Sequence, residues 1–116
     1  EAVGTGVDFT GRTSVHDAAS LLAVCDVVVA CDSGLMHLAL ASGTPVVALF
    51  GPTDPSILVR DQPLLHPVMN DRECAGCWNV SQAMNDPGVC PLNIHPCLGT
   101  ITVEAVCERV ACVLGR

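Results

Sequence analysis

The chain has 116 residues, enough for one domain with a modest core, and half of them are apolar, which argues against disorder. Its net charge of −7, with five arginines, no lysine and only three aromatic residues, argues against a nucleic-acid-binding surface. No apolar run reaches the roughly 18 residues that span a bilayer, and residues 1–6 lack the basic start and apolar core of a signal peptide.

The first predicted elements are a glycine-rich loop and a helix. Residues 1–13 have no sustained period, and we expect a loop there with one short strand around residues 7–9. A helix is predicted over 15–24, because apolar residues recur there at helical spacing. Ser14 followed by Asp17 resembles a capping box and predicts where this helix begins.

Residues 26–50 predict the order strand, helix, strand. Short β-branched and apolar runs at 26–31 and 45–50 are typical of buried strands. The helix between them covers 34–43 and ends at Gly43, with Pro45 just beyond. This order is a βαβ crossover, which joins parallel strands. Together with a core made of Val, Leu, Ala and Ile, it predicts an α/β fold: a Rossmann-like parallel sheet with flanking helices.

The pattern is weaker after the turn at 51–55. Residues 56–63 predict a short irregular or helical piece, and 64–69 a third strand that contains Pro67. Residues 70–99 predict a long cysteine-containing loop within the domain. A final amphipathic helix is predicted over 102–115, with Thr102 as its N-cap, Gly115 at its end and one apolar face (Val103, Val106, Val110, Val113 and Leu114).

Polar residues follow the first predicted strand directly. In open α/β sheets, ligands bind beyond the carboxyl ends of strands, where helix N-termini point. Gly34 allows close approach to the backbone, and the amides of residues 34–37 can hold an anion. Ser33 adds a hydroxyl donor, and His37 adds a cationic or hydrogen-bonding group. The junction therefore has the donors of a phosphate site.

Asp32 has two interpretations. In the first, Asp32 or Ser33 is only an N-cap, as at many helix starts. In the second, the carboxylate of Asp32 accepts hydrogen bonds from the hydroxyls of a sugar attached to the phosphate. A carboxylate beside a bare phosphate would repel it, so the functional interpretation requires the sugar.

The strings "FTGRTS" at 9–14 and "DSGLMHLALASGTPVVALFGPTDP" at 32–55 resemble the C-terminal half of glycosyltransferase family 9. That family includes the ADP-heptose:lipopolysaccharide heptosyltransferases of bacteria. Its signature is approximately LTGxTSL, then D(S/T)GxxH, then G(T/V)PxVxLFGPTxP. Phe9 stands where the family usually has Leu, and Val15 replaces the Leu after Ser14. The resemblance covers nearly the whole chain.

The resemblance implies a GT-B architecture, in which two Rossmann-like domains face each other across a cleft. Residues 1–116 would be the C-terminal, donor-binding domain and a fragment of a two-domain protein. The resemblance also implies the roles of the site residues. The diphosphate would accept hydrogen bonds from Ser33, Gly34, Leu35 and Met36, and His37 would support the same phosphates. The sugar would contact Asp32, and the nucleoside would lie beside Thr13 and Ser14. The wall of the cleft would be shaped by Gly51, Pro52 and Thr53. Ser14 as a cap, and Gly51 with Pro52 as a turn, are the alternatives.

The resemblance further implies an inverting transfer of a sugar from a nucleoside diphosphate to a lipopolysaccharide-type acceptor, without a cofactor. ADP-heptose is the donor expected from the best-known members. The general base would come from the N-terminal acceptor domain, so no residue here is a predicted catalytic residue and this fragment alone should be inactive. A cytoplasmic protein, with peripheral attachment at the inner membrane as an option, is expected. The alternatives are a non-catalytic nucleotide-binding module and a GT-B-related nucleotide-sugar epimerase.

Four of the eight cysteines, Cys74, Cys77, Cys90 and Cys97, lie together in the predicted loop. Their spacing contains one good ligand pair, the "CAGC" of Cys74 and Cys77, and one looser pair, and His95 could replace a cysteine. A structural zinc ion, packed reduced thiols and disulfides are the three options that this spacing leaves open.

Overall fold

A computed structural model of the chain describes residues 5–72, 74–80, 90 and 96–116. Its elements in chain order are α1 (Val15–Ala23), β1 (Val28–Cys31), α2 (Gly34–Ala41), β2 (Val46–Leu49), α3 (Pro55–Leu58), β3 (Leu65–Val68), α4 (Cys77–Val80), α5 (Pro96–Gly99) and α6 (Val103–Val113). Among the described residues, no helix has both the length and the apolar character needed to cross a membrane.

The three strands form one parallel sheet in the order β1-β2-β3, which confirms the predicted α/β class. Val28 pairs with Val46 and Val46 with Leu65, so the strands start and end level with one another. The central strand β2 is the most buried, as expected for a strand covered on both faces. Pro67, which lacks an amide donor, lies in the edge strand β3, where only one side of the backbone must pair.

The core lies between α2 and one face of the sheet. Met36 and Ala39 of α2 are fully buried against Val46, Ala48 and Phe50. Because side chains alternate along a strand, Val47 faces the other side, where α6 packs on β2 and β3. The two helices thereby cover the two faces of β2.

The predicted glycine at the end of α2 has the expected conformation. Gly43 has φ of +81°, a left-handed value that favours glycine, and it follows the C-cap residue Ser42. The amide of Thr44 then donates to Ala39 O at 3.1 Å. The chain can therefore turn sharply into β2.

Two expectations about local structure are wrong, and the predicted loop over 70–99 is not wholly irregular, because it contains the short helices α4 and α5. Residues 7–9 form no strand, because the side chain of Asp8 accepts a hydrogen bond from Thr10 N (2.8 Å) and Arg12 N donates to Phe9 O (3.0 Å), which turns the chain. Val103 does not share the buried face of α6. It is the first helical residue, lies beyond the packed turns and is 74% exposed.

Candidate functional site

The predicted site residues that follow β1 and β2 lie at the same edge of the sheet. The register pairs Cys31 with Leu49 and Leu49 with Val68, so all three parallel strands end at the same level. Asp32 and Ser33 follow β1, and Gly51 follows β2 after one further residue. The two predicted motifs thus lie beyond the carboxyl ends of neighbouring strands, where α/β sheets bind ligands.

The N-terminus of α2 has unused donors. Ser33 is the N-cap residue, but its side chain makes no capping hydrogen bond. Met36 N and His37 N donate to Ser33 O at 3.1 and 3.4 Å. Within the part of the chain that the structure describes, the amides of Gly34 and Leu35 have no acceptor. These two N–H groups are therefore available to an anion.

The side chains around this helix start differ in exposure. Ser33 and His37 are exposed, and Asp32 is half-buried at the end of β1. Leu35 is 56% exposed, whereas Met36 is fully buried in the core. The side chain of Met36 therefore points into the core, and its backbone amide already donates to Ser33 O.

The N-terminus of α1 carries a side-chain cap, unlike that of α2. Ser14 Oγ accepts a hydrogen bond from Asp17 N (3.2 Å), and the carboxylate of Asp17 accepts from Ser14 N (2.9 Å) and Ser14 Oγ (2.7 Å). The predicted capping box is confirmed. The hydrogen bonds from Ser14 hold the pKa of Asp17 below its ordinary value, so this end of α1 carries a negative charge at neutral pH.

A cavity of about 560 Å³ lies between the two helix starts, and we name it the α1–α2 cleft. It is bordered from the α1 side by Thr13, Ser14, Val15 and Ala18, and from the α2 side by Ser33, Gly34, Leu35 and Leu38. The amides of Val15 and His16 also have no acceptor among the described residues, but the negative charge of Asp17 stands at that end of α1. The amide donors of the cleft that are better placed for an anion are therefore those of α2. The structure thus brings Thr13 and Ser14 together with three of the residues predicted after β1.

A second cavity of about 600 Å³ adjoins the α1–α2 cleft, and Thr13, Ala18 and Leu35 border both. Its lining is mainly apolar and includes Phe9 and Leu22. The cavities together offer amide donors at one end and apolar walls at the other. Sequence reasoning missed Ala18 and Leu38 as cleft residues, although each lies one helical turn beyond a predicted one.

Gly51, Pro52 and Thr53 do not border this cleft. Gly51 O accepts a hydrogen bond from Gly76 N, and Pro52 O accepts one from Trp78 N, both at 2.8 Å. A Cβ atom on Gly51 would lie 2.7 Å from Leu98 Cγ and 3.1 Å from Cys97 Sγ. The contacts of Gly51 and Pro52 therefore fasten the segments 74–78 and 96–98 to the end of β2.

The cysteine group lies near the same strand end, and Cys74, Cys77 and Cys97 are reduced thiols. Cys77 N donates to Cys74 O in a turn, and the buried Cys97 packs against Gly51. Burial raises the pKa of the Cys77 thiol, and the neighbouring thiols of Cys97, Cys74 and Cys90 raise it further. Among the described residues, no three Cys, His, Asp or Glu side chains are arranged to hold a metal ion, and His95 lies outside those residues.

Comparison with known proteins gives one family. The family described as glycosyltransferase family 9 (heptosyltransferase) matches residues 2–86. Lipopolysaccharide heptosyltransferase 2 of Salmonella typhimurium is 34% identical over 94% of this chain and 29% of its own length. The enzyme of the same name from Escherichia coli K12 is 34% identical over 92% of this chain and 28% of its own length.

A third relative is lipooligosaccharide heptosyltransferase 2 of Haemophilus influenzae, which is 49% identical over 42% of this chain and 14% of its own length. The chain therefore spans less than a third of the length of these relatives. No solved structure matches the chain significantly.

Proposed function

This chain belongs to glycosyltransferase family 9, and we propose that it is the donor-binding domain of an inverting glycosyltransferase that moves a heptose from a nucleoside diphosphate to a lipopolysaccharide-type acceptor. The main support is the uncapped N-terminus of α2, which opens on the α1–α2 cleft at the carboxyl edge of the sheet. The heptosyl group and the acceptor are proposed from the names of the relatives.

The diphosphate of the donor binds at the start of α2. The amides of Gly34 and Leu35 donate to phosphate oxygens, and the exposed hydroxyl of Ser33 adds a third donor. A helix N-terminus stabilises a nearby anion by about 0.3–1 kcal/mol when exposed and by up to about 2 kcal/mol when partly buried. His37, exposed one turn into the helix, supports the same phosphates.

The sugar of the donor lies beside Asp32. This carboxylate is half-buried and has no hydrogen-bond partner among the described residues, so it can accept bonds from sugar hydroxyls. Its position immediately before Ser33 keeps it close to the phosphate donors. The charge of Asp32 disfavours free phosphate and suits a phosphate that carries a sugar.

The nucleoside lies along the α1 side of the cleft. Thr13 borders both cavities and offers a hydroxyl there, whereas the hydroxyl of Ser14 is engaged with Asp17. Ser14 therefore acts on the nucleoside only by shaping the wall. Gly51, Pro52 and Thr53 follow β2 at the same carboxyl edge of the sheet and shape the wall of the cleft between this domain and the acceptor domain.

The proposed reaction uses this arrangement at the leaving group. As the bond between the anomeric carbon and the diphosphate breaks, negative charge grows on the phosphate, and fixed amide donors stabilise it most in the transition state. The acceptor hydroxyl is activated by a carboxylate of an N-terminal acceptor domain. The charge on the leaving group is balanced by protein donors, so the reaction as proposed requires no metal cofactor.

Two further properties belong to the proposal. The full protein acts in the cytoplasm, where nucleotide sugars are made, and this chain alone binds the donor without turning it over. A zinc ion on Cys74, Cys77, Cys90 and Cys97 would have a structural role and would lie at the end of β2, away from the α1–α2 cleft. Such an ion requires the thiols to rearrange around it, because the described side chains do not form a ligand set.

A titration tests the proposed donor site. ADP, UDP, GDP and their sugar conjugates are added to the ¹⁵N-labelled chain, and the amide shifts are followed. We expect saturable shifts at residues 33–35 and at Thr13, with little change in α6. The assignment fails if no nucleotide or nucleotide sugar perturbs the start of α2.

A further inference from the structure

Thr44 is a buried polar side chain on the turn between α2 and β2, only 3% exposed. Its hydroxyl donates to Leu22 O, in α1, at 2.8 Å. Its amide donates to Ala39 O, in α2. One residue therefore links the last turns of both helices that border the α1–α2 cleft.

The placement of α1 depends strongly on such links. The helix has no fully buried residue, and it packs chiefly on α2 through half-buried side chains (Ala18, Ala19, Leu21 and Leu22). The hydroxyl of Ser42 donates to Leu38 O at 2.9 Å and also lies 3.5 Å from Ala19 O. Apolar contacts have no preferred direction and permit sliding, whereas the hydrogen bond from Thr44 is directional.

A small rotation of α1 around its contact with Thr44 displaces the opposite end of the helix. The helix has nine residues and is therefore about 13 Å long at a rise of about 1.5 Å per residue. A rotation of about 5° around its last turn moves its first turn by about 1 Å over that length. The N-cap residue Ser14 and the first helical residue Val15 lie at that end and border the α1–α2 cleft.

We infer that Thr44 is a positioning residue for nucleotide binding: its buried hydroxyl holds α1 at one distance from α2 and so sets the width of the α1–α2 cleft. This inference rests on the proposed function. Thr44 does not border the cleft itself, so it acts only through α1.

The test compares three variants of the chain with the wild type. Thr44→Val keeps the shape of the side chain and removes the hydroxyl, and Thr44→Ser keeps the hydroxyl. Thr102→Ala removes the cap of α6, whose hydroxyl accepts from Ala105 N at 3.2 Å, and serves as the control for general loss of stability. The readouts are the melting temperature, the dissociation constant for ADP or the best-binding nucleotide, and NOEs between the methyl groups of Leu35 and those of Val15 or Ala18.

We expect Thr44→Val to weaken nucleotide binding on the order of tenfold and to weaken those NOEs in the free protein, because small displacements of binding groups have large effects. Thr44→Ser should restore both, and Thr102→Ala should melt earlier with unchanged affinity. If Thr44→Val binds the nucleotide as the wild type does, the inference is overturned while the proposed function stands. If the wild type binds no nucleotide, the proposed function is overturned together with it.

Discussion

Gly34 and Gly51 both belong to the family-like motifs, yet the structure predicts opposite consequences when each is changed to alanine. Gly34 has no atom within 4 Å of the position of an added Cβ and is the first residue of α2. Gly51 has Leu98 Cγ at 2.7 Å and Cys97 Sγ at 3.1 Å from that position. Gly51→Ala should therefore impair stability, and Gly34→Ala should impair binding.

The magnitudes follow from these surroundings. Overpacking by one methyl group costs about 1–3 kcal/mol when the neighbours must move. Leu98 is 42% exposed and can swing away, but Cys97 is buried, so we expect about 1–2 kcal/mol for Gly51→Ala. At roughly 4 °C per kcal/mol for a domain of this size, the melting temperature falls by about 4–8 °C.

Gly34→Ala should change the stability by no more than about 0.5 kcal/mol, since the site is open and its φ is not in the left-handed region. The new methyl group would stand beside the amides of Gly34 and Leu35, where a phosphate oxygen must approach closely. We expect nucleotide affinity to fall on the order of tenfold, which corresponds to about 1.4 kcal/mol.

Thermal unfolding by circular dichroism and nucleotide titration by NMR measure the two effects separately. The reasoning is refuted if Gly51→Ala loses affinity at an unchanged melting temperature, or if Gly34→Ala binds nucleotide as the wild type does. Either result would argue against a donor site at the start of α2.

Four other predictions concern single groups. Asp32→Asn should weaken the binding of a nucleotide sugar but not of the nucleoside diphosphate alone, and equal losses for both would contradict its contact with the sugar. Hydrogen bonds from Ser14 lower the pKa of Asp17 in the folded state, so this carboxylate stabilises the fold above the ordinary aspartate pKa, and the stabilisation is lost as the pH falls through the folded-state pKa. The difference in melting temperature between the wild type and Asp17→Asn should therefore disappear at acid pH. A difference that stays constant with pH would contradict this prediction. The pKa of Cys77 is raised, so less of this thiol is in the reactive thiolate form at pH 8, and iodoacetamide should modify it more slowly than the exposed Cys25. Peptide mass spectrometry measures both rates, and faster labelling of Cys77 would contradict the raised pKa. A structural zinc ion predicts about one zinc per chain after purification with reductant and loss of that zinc in Cys77→Ser, whereas metal-free wild-type protein removes the ion from consideration.

The sheet and the helices α1, α2 and α6 could be predicted because their signals are local. Buried strands and amphipathic helices follow from hydrophobic period, and Gly43 and the Ser14–Asp17 pair mark helix ends directly. The strand expected at residues 7–9 was wrong because the Asp8 side chain, rather than hydropathy, decides the backbone there. Short polar turns often override a weak apolar pattern in this way.

The candidate site could be predicted only in part. Proximity along the chain identified residues 32–37, but the α1–α2 cleft depends on how two helices pack. Helical spacing relates Ala18 and Leu38 to predicted residues, yet only the packing shows that both border the cleft. The same holds for Gly51: its sequence context suggests a turn, and only contacts with Leu98 and Gly76, which are distant in the chain, reveal its structural role.

Among the described helices, the one that offers the free amides also has the most buried side chains. The side chains of Met36, Ala39 and Leu40, which follow Gly34 and Leu35 in the same helix, are buried. Folding of the chain therefore already fixes the amides of Gly34 and Leu35, and nucleotide binding should cost little further backbone conformational entropy. Hydrogen exchange in the body of α2 should accordingly be slow in the free chain and change little on binding, with the response confined to its first turn and to α1.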